Sequence, residues 1–168
     1  MKQITLRALE PQDIEAIYRW ENDPQVWEQS YAHTPFSKHA LKQYIVDATL
    51  TDIYASRQLR LMAMDGEKTV GCVDLSSFDP YHQRAEVGIV VDALCRNQGY
   101  GRAIIEALIP FCKKSLRLHQ LYCDIDTDNE ASIAMFESCG FMRKGIKADW
   151  IQKNGYWCDA YFYSLIID

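Results

Sequence analysis

Hydrophobic positions along the chain follow two spacings, one typical of strands and one typical of helices. Alternating or continuous apolar runs that predict strands fall at residues 4–8, 60–64, 70–75, 84–91, 121–126, 141–151 and 156–167. Apolar positions three and four residues apart, which predict helices, follow Pro11 and Ser37 and recur at residues 103–112 and 129–139. Strands and helices therefore alternate along the chain, as in proteins whose helices pack on a sheet.

Two dipeptides and one loop indicate how the strands connect. Asp65-Gly66 and Asn154-Gly155 are flanked by strand patterns and are strong signals for two-residue hairpin turns. Residues 76–83 predict a loop. Hairpins at both ends of the chain enclose a β-α-β-α segment, so the predicted class is α/β (α+β) with a mixed sheet rather than a doubly wound one.

Several residues predict where helices begin and end. Ser37 is a candidate N-cap, and Thr127 and Glu130 have the spacing of a capping box at the start of the last helix. Pro110 removes one main-chain hydrogen bond from the helix at residues 103–112. That helix is therefore expected to kink or end near Pro110.

The segment of residues 96–102, RNQGYGR, lies between a predicted buried strand and a predicted helix. Gly99 and Gly101 lack the Cβ atoms that hinder a tight turn or close approach to a ligand. The first amides of the following helix have no intrahelical acceptor, so the turn suits a phosphate or pyrophosphate, with charge-assisted bonds from Arg96 and Arg102. Taken alone, the segment equally fits a glycine-containing connector in an α/β protein.

Two common phosphate-binding motifs do not fit this segment. A nucleotide P-loop needs Lys followed by Ser or Thr after its last glycine, where this chain has Arg102-Ala103. A dinucleotide fingerprint needs a third small residue where this chain has Ile104. The segment does match the pattern R/Q-x-x-G-x-G/A between a strand and a helix.

Composition narrows the class of protein. The chain has 168 residues, enough for a sizeable core, and we expect one domain over residues 1–168. Its net charge of -5 argues against a general nucleic-acid binder, and neither a long apolar run nor a signal-peptide pattern is present. The 6 cysteines form no C-x-x-C pair and lie mostly in apolar runs, so we expect reduced thiols in a cytoplasmic protein.

Acidic residues crowd the segment from residue 10 to residue 30, where Arg19 is the one base. The carboxylates are Glu10, Asp13, Glu15, Glu21, Asp23 and Glu28. A solvated helix face is the more ordinary interpretation. A negative rim that attracts a cationic substrate is the functional alternative.

Three local motifs and the order of elements resemble the GNAT superfamily of N-acetyltransferases. Residues 96–101 resemble its acetyl-CoA pyrophosphate loop, and residues 126–141, DTDNEASIAMFESCGF, are similar to its N-x-x-S/A helix that ends in Gly-Phe. Residues 20–26, WENDPQV, resemble the branch of spermidine and ribosomal-protein N-terminal acetyltransferases, and residues 84–86, RAE, resemble the spermidine enzymes. The resemblance covers nearly the whole chain and implies a single GNAT acyl-CoA N-acyltransferase fold.

The resemblance also implies that acetyl-CoA, a co-substrate, is held mainly by main-chain groups. The backbone of residues 89–91 would pair with the pantetheine arm, and the amides of residues 97–102 would hold the pyrophosphate. Asn129 would meet the cofactor from the other side. The implied contacts are Ile89, Val90, Val91, Arg96, Asn97, Gln98, Gly99, Tyr100, Gly101, Arg102, Asn129 and Ser132.

Glu86 is the candidate general base. An alkylammonium has a pKa of roughly 10.4, and its nitrogen attacks a thioester only after losing a proton. Glu86 lies on the strand expected to line the cofactor, between apolar residues that raise the pKa of a carboxyl group. An ion pair with Arg84 is the structural alternative.

The last helix departs from the resembled family at Phe136, where many members have a tyrosine that protonates the leaving thiolate. Ser132 is the candidate substitute, and its alternative role is a hydrogen bond to the cofactor or to the preceding helical turn. Tyr122 and Cys139 are weaker candidates. A thiolate is also able to leave without a dedicated acid.

Taken together, these features predict an acetyl-CoA-dependent N-acetyltransferase that modifies a primary amine. A polyamine such as spermidine and a protein N-terminus are both open as acceptors, with Trp27, Glu28, Tyr31 and Glu86 as candidate contacts. A non-catalytic acyl-CoA-binding module is the alternative, favoured by Phe136 and opposed by Glu86. The sequence predicts no metal site, nucleic-acid partner or membrane partner, and it leaves a homo-oligomer open.

Overall fold

One mixed sheet of seven strands runs through the computed structural model, which describes residues 2–27, 34–153 and 155–167. The strands are β1 (Ile4–Ala8), β2 (Leu59–Asp65), β3 (Lys68–Asp79), β4 (Arg84–Val91), β5 (Gln120–Asp126), β6 (Met142–Lys153) and β7 (Tyr156–Ile166). Their order is β1-β2-β3-β4-β5-β7-β6, and within it only β4 and β5 are parallel neighbours. The predicted mixed α/β class is confirmed.

Six α-helices accompany this sheet in the described part of the chain. They are α1 (Ile14–Glu21), α2 (Pro24–Trp27), α3 (Lys38–Leu50), α4 (Ile53–Ser56), α5 (Tyr100–Lys114) and α6 (Glu130–Ser138). Ser37 caps α3 as predicted, because its Oγ accepts a hydrogen bond from Ala40 N at 3.1 Å. The short helix α4 was not a separate element in the sequence prediction.

Strand alternation gives the central strands two different faces. Buried apolar residues such as Leu75, Val87 and Leu121 belong to the cluster that packs against α5 and α6. Neighbouring residues, such as Glu86 and Tyr122, point to the opposite face. Part of that face is covered by α1 and α3 through a second apolar cluster, and the remainder is polar.

The two predicted hairpins are present. Gly66 turns between β2 and β3 with a φ of 60°, and Gly155 turns between β6 and β7 with a φ of 89°. Lys153 pairs with Tyr156 across the second turn. Asn154, the other residue of that predicted turn, lies outside the described residues.

The strand β3 is longer than predicted. It continues to Asp79, through part of residues 76–83, which were expected to form a loop. The reason is pairing with β4 that resumes at Arg84 after an irregularity that follows Ser76. This irregularity lies beside Glu86 and shapes its surroundings.

Two helix boundaries also differ from the predictions. The helix α5 does not end at Pro110 but continues to Lys114, because its buried stripe extends to Cys112. The N-cap of α6 is Asn129 rather than Thr127. The buried stripe decides the end of α5, and the local hydrogen bond from Ser132 N to Asn129 Oδ1 decides the start of α6.

The carboxylate of Asp92 joins α1 to the end of β4. It accepts hydrogen bonds from Arg19 at 2.6 Å, from Trp20 Nε1 at 2.9 Å and from Leu94 N at 3.0 Å. Burial acts to raise the pKa of Asp92, but the bonds from Trp20 and Arg19 outweigh it and hold that pKa below its usual value. The end of β4, which leads into the glycine turn, is thereby fixed against α1.

Candidate active site

The parallel strands β4 and β5 diverge in the middle of the sheet. Their pairing covers only three positions, from Arg84 with Gln120 to Glu86 with Tyr122. Beyond Glu86, β4 continues to Val91 while paired with β3 alone among the described strands. The divergence leaves a main-chain edge of β4 open to an extended ligand, which would add to the edge as a strand does.

The register shows which residues of β4 face this opening. Asp92 N donates to Val70 O at 2.9 Å, and alternation along an antiparallel pair then directs the main-chain groups of Val90 toward β3. The groups of Ile89 and Val91 point to the β5 side. Of the three residues predicted to pair with pantetheine, Ile89 and Val91 therefore have the suitable orientation.

The glycine turn after β4 leads directly into α5. Asn97 and Gly99 adopt left-handed conformations, with φ of 58° and 79°, and Gly99 is the N-cap of α5. Ala103 N donates to Gly99 O at 3.2 Å, so the preceding amides of the first turn have no partner within the helix. A Cβ on Gly101 would lie 3.4 Å from Met135 Cγ, so Gly101 permits close packing of α5 on α6.

The two arginines of the turn have partners within the protein. Arg96 bonds Asp23 Oδ2 at 2.8 Å and Val91 O at 3.2 Å and also donates to Gln25, which ties the turn to α2. Arg102 pairs with Glu106 on the exposed side of α5 at 2.7 Å. Arg96 therefore stabilises the glycine turn in this structure. Arg102 is exposed and lies in the first turn of α5.

The start of α6 brings two predicted residues together. Asn129 Oδ1 accepts a hydrogen bond from Ser132 N at 3.1 Å, and the Ser132 side chain is half-buried. Phe136, one turn further, is 3% exposed, and its ring centroid lies 5.0 Å from that of Phe141. Phe136 is therefore a core residue, and Ser132 is the more accessible of the two.

Two serines bond the Glu86 carboxylate. Ser76 Oγ and Ser77 Oγ donate to Glu86 Oε2 over 3.3 and 3.4 Å. Ser77 has a φ of 50° within the irregular part of β3, which turns both hydroxyls toward the same oxygen. Arg84, the alternative partner considered for Glu86, pairs with Asp79 at 3.5 Å instead.

A cavity of about 1400 Å³ opens on the sheet face that bears Glu86. Its walls come from α3, from β2 to β5 and from the β6–β7 hairpin, with aromatic side chains such as Tyr44, Trp150 and Trp157. Among the described residues, six carboxylates line it: Glu21, Asp74, Glu86, Asp124, Asp126 and Asp128. The cavity is therefore suited to a cationic ligand.

Three basic side chains form ion pairs with five of the six carboxylates. Arg60 pairs with Glu21 at 2.5 Å and with Asp74 at 2.6 Å. The remaining pairs are Lys147 with Asp124 at 2.6 Å, and Lys153 with Asp126 at 2.5 Å and Asp128 at 3.0 Å.

Within the described residues, Glu86 is the one cavity carboxylate without an ion pair. Counted over the described residues, six carboxylates and the three cations that pair with them leave an excess of three negative charges at the cavity.

The acidic segment near the start of the chain contributes less than its composition suggested. Asp13 pairs with Arg7, Glu15 with Lys38 and Asp23 with Arg96, so these carboxylates stabilise the fold. From this segment Glu21 reaches the cavity, where Arg60 already neutralises it. The negative charge of the cavity comes mostly from the central strands and from the residues that follow β5.

Three of the predicted acceptor contacts are placed only in part. Trp27 ends α2, and Pro24 at the start of that helix lines the cavity. Glu28 and Tyr31 lie outside the described residues.

Sequence reasoning missed Asp74, Asp124, Asp126, Asp128, Arg60, Lys147 and Lys153. The alternation of aspartates along β5 was the one available signal for this group.

Comparison with known proteins identifies the fold around this site. A family model described as an acetyltransferase (GNAT) domain matches residues 3–142. The chain belongs to the GNAT acetyltransferase family. The resemblance noted in its sequence is confirmed.

Individual relatives agree with the family assignment. The chain is 25% identical to the spermidine N(1)-acetyltransferase of Vibrio cholerae serotype O1, over 94% of this chain and 90% of the relative. It is 26% identical to the putative ribosomal N-acetyltransferase YdaF of Bacillus subtilis strain 168, over 98% and 92%. The crystal structure of spermidine N-acetyltransferase from Vibrio cholerae in complex with CoA and spermine has a TM-score of 0.90, with 23% identity and coverage of 99% and 97%.

The protein is accordingly an N-acetyltransferase that uses acetyl-CoA to modify a primary amine. The described residues contain no group of three or more His, Cys, Asp and Glu arranged to hold a metal ion. Among the helices described, none has the length and apolar character needed to cross a membrane.

Proposed function

We propose that the acceptor is a small cationic amine of the polyamine class and that Glu86 receives the proton of its reacting nitrogen. The observation that carries this proposal is that the Glu86 carboxylate has no ion-pair partner among the described residues. It lines a cavity of excess negative charge, yet within the described residues it is the cavity carboxylate without an ion pair. An incoming ammonium supplies the missing partner.

The magnitude of this attraction is sufficient to direct binding. A unit charge pair at about 4 Å is worth about 4 kcal/mol at an effective dielectric constant of about 20. The two serine bonds to Glu86, at 3.3 and 3.4 Å, are long and leave the carboxylate able to accept a proton. A spermidine acetyltransferase among the relatives supports the same class of acceptor.

The proposed reaction follows from the position of Glu86 beside the diverging strands. Glu86 binds the alkylammonium and takes its proton, directly or through water, which frees the nitrogen lone pair. Acetyl-CoA supplies the acetyl thioester, and the open edge at Ile89 and Val91 would hold its extended arm. The free amine attacks the thioester carbonyl carbon, so that an N–C bond forms and the C–S bond breaks. Ser132, half-buried at the start of α6, is the proposed relay that takes a proton from water as it gives its own to the departing thiolate.

The remaining cofactor contacts are part of the same proposal. First-turn amides of α5, preceded by the left-handed Gly99, would bind the pyrophosphate. Asn129 would contact the cofactor from α6, because its carboxamide already lies at that helix start. Phe136, buried against Phe141, has no proton to donate.

The chain-level predictions follow from the same features. We propose that residues 1–168 form one acetyltransferase unit, since strands from Ile4 to Ile166 belong to one sheet. All six cysteines are free, four of them buried, which supports the proposed cytoplasmic location. A homo-oligomer remains a prediction, and sedimentation equilibrium of the purified protein tests it.

The test is an acceptor panel with the purified protein and acetyl-CoA, followed by thiol release and mass spectrometry. The panel contains 1,4-diaminobutane, spermidine, an amino acid and a peptide with a free N-terminus. We expect saturable acetylation of the cationic alkylamines. Acetylation confined to the peptide would contradict the proposed acceptor, and CoA binding without turnover of any amine would favour a non-catalytic module.

A further inference from the structure

One end of the acceptor cavity lies along β5, away from Glu86. Tyr122 pairs with Glu86, and Asp124 and Asp126 lie on the same face of β5, two and four residues further. At about 3.3 Å per residue, these carboxylates are roughly 7 and 13 Å along the strand from the level of Glu86. Successive amines of a long polyamine with one end at Glu86 would approach them.

Lys147 binds Asp124 although the strands that carry these two residues are not neighbours in the sheet. Lys147 lies on β6, and β7 separates β6 from β5 in the sheet. The lysine side chain crosses β7, with its Nζ 5.5 Å from the Phe162 ring and 4.7 Å from the Trp150 ring. Its Nζ bonds Asp124 Oδ2 at 2.6 Å, and the Asp124 side chain is 9% exposed.

Lys153, at the end of the same strand, binds two further carboxylates. Its Nζ lies 2.5 Å from Asp126 and 3.0 Å from Asp128, and its side chain is 16% exposed. Burial acts to lower the pKa of Lys153, but hydrogen bonds to Asp126 and Asp128 outweigh it and raise that pKa above its usual value. The ammonium form therefore persists at neutral pH.

We propose that Lys147 and Lys153 are tethered ammonium groups that hold the carboxylates at the β5 end of the acceptor cavity and restrict the acceptor to short alkylamines and diamines. The inference rests on the proposed function of the cavity. A remote ammonium of a longer polyamine would have to displace a lysine from its carboxylate or lie beside a like charge. Both arrangements disfavour binding of a long acceptor, so the two lysines limit the length of the polyamine that the cavity accepts.

One oxygen of the Asp124 carboxylate has no hydrogen-bond partner among the described residues. Asp124 Oδ1 is buried and accepts no hydrogen bond from the described residues, while Lys147 bonds only Oδ2. Asp124 is also the nearer of the two β5 carboxylates to Glu86. A diamine with one nitrogen at Glu86 brings at most one further ammonium near Lys147 and does not reach Lys153, whereas the additional ammoniums of spermine would meet both lysines.

The experiment compares acceptor length in lysine variants. Lys147→Met, Lys153→Met and the double variant remove the ammonium groups and keep unbranched side chains. Lys144→Met is the matched control, because Lys144 is an exposed residue of β6 outside the cavity lining. The measured quantity is the ratio of kcat/KM for spermine to kcat/KM for 1,4-diaminobutane.

We expect the ratio to rise about tenfold or more in the double variant and about threefold or more in Lys147→Met, since like-charge repulsion is removed. The control should keep the wild-type ratio. Melting temperature and CoA affinity of each variant report folding. If the double variant does not fold, Lys147→Met and the charge-preserving Lys147→Arg, expected to keep the wild-type ratio, complete the test.

Two failures have different meanings. A wild-type enzyme that acetylates diamines, with the same length ratio in folded Lys147→Met and double variants, would overturn the role of the lysines and leave the proposed function intact. A higher kcat/KM for spermine than for the diamine in the wild type would also overturn it. Absence of acetylation of every cationic alkylamine would instead overturn the proposed function.

Discussion

Replacement of Glu86 by glutamine isolates the charge and basicity of that side chain. Glutamine has the same shape, and its carbonyl oxygen is able to accept the bonds that Ser76 and Ser77 give to Glu86 Oε2. The fold of β4 should therefore be unchanged. What is lost is the proton acceptor and the one unpaired negative charge of the cavity among the described residues.

The expected loss in kcat/KM for a cationic amine is about 10²- to 10⁴-fold, the usual contribution of a positioned general base. This range corresponds to about 3–5 kcal/mol of transition-state stabilisation. The affinity for CoA should stay within about twofold, because Glu86 lies where β4 and β5 are still paired, before the open edge.

The assay is steady-state thiol release with 1,4-diaminobutane from pH 7 to pH 10, with CoA affinity measured separately. The defect should shrink as pH rises, since an amine with a pKa of roughly 10.4 increasingly arrives without its proton. The control is Glu67→Gln, the same change at an exposed hairpin position outside the cavity. A neutral-pH rate for Glu86→Gln within about twofold of wild type would assign Glu86 a structural role.

Three further predictions concern other parts of the molecule. Gly101→Val should weaken CoA binding about tenfold or more, because the added carbons press on Met135. Gly101→Ala should reduce the CoA affinity less, and equal affinities of the wild type and the valine variant by calorimetry would contradict this. Ser132→Ala should lower kcat about tenfold or more with CoA affinity unchanged, and a change in CoA affinity alone would make Ser132 a binding residue. Asp92→Asn should lower the free energy of unfolding by about 1–3 kcal/mol at pH 7. Because the folded pKa of Asp92 is depressed, this stabilisation is present above the unfolded pKa of about 3.9 and is lost as pH falls through the folded pKa, so denaturation curves of the two proteins should converge in acid.

Much of the fold was predictable because its signals are local. The Ser37 cap and the turn glycines Gly66 and Gly155 act within a few residues of their own positions. The glycine turn at residues 96–102 likewise carries its geometry in its own sequence. By contrast, the N-cap of α6 depends on which oxygen reaches Ser132 N, a choice between nearby candidates that spacing alone did not resolve.

The charges of the cavity were not predictable, because they depend on contacts between distant residues. Lys147 and Asp124 are 23 positions apart and meet across an intervening strand. Arg96 and Asp23 are 73 positions apart, so their ion pair gives Arg96 a bracing role that the glycine motif did not indicate. Glu86 was recognisable as a candidate base, but its lack of an ion pair among the described residues appears only in the assembled sheet.

The central claim is that a cavity of excess negative charge selects a cationic amine for acetylation. The most direct test compares kcat/KM for 1,4-diaminobutane with kcat/KM for 4-amino-1-butanol, which replaces the remote ammonium by a neutral hydroxyl group. We predict at least an about tenfold preference for the diamine at low ionic strength, declining as salt screens the cavity. Equal values for the two acceptors, independent of salt, would contradict the claim.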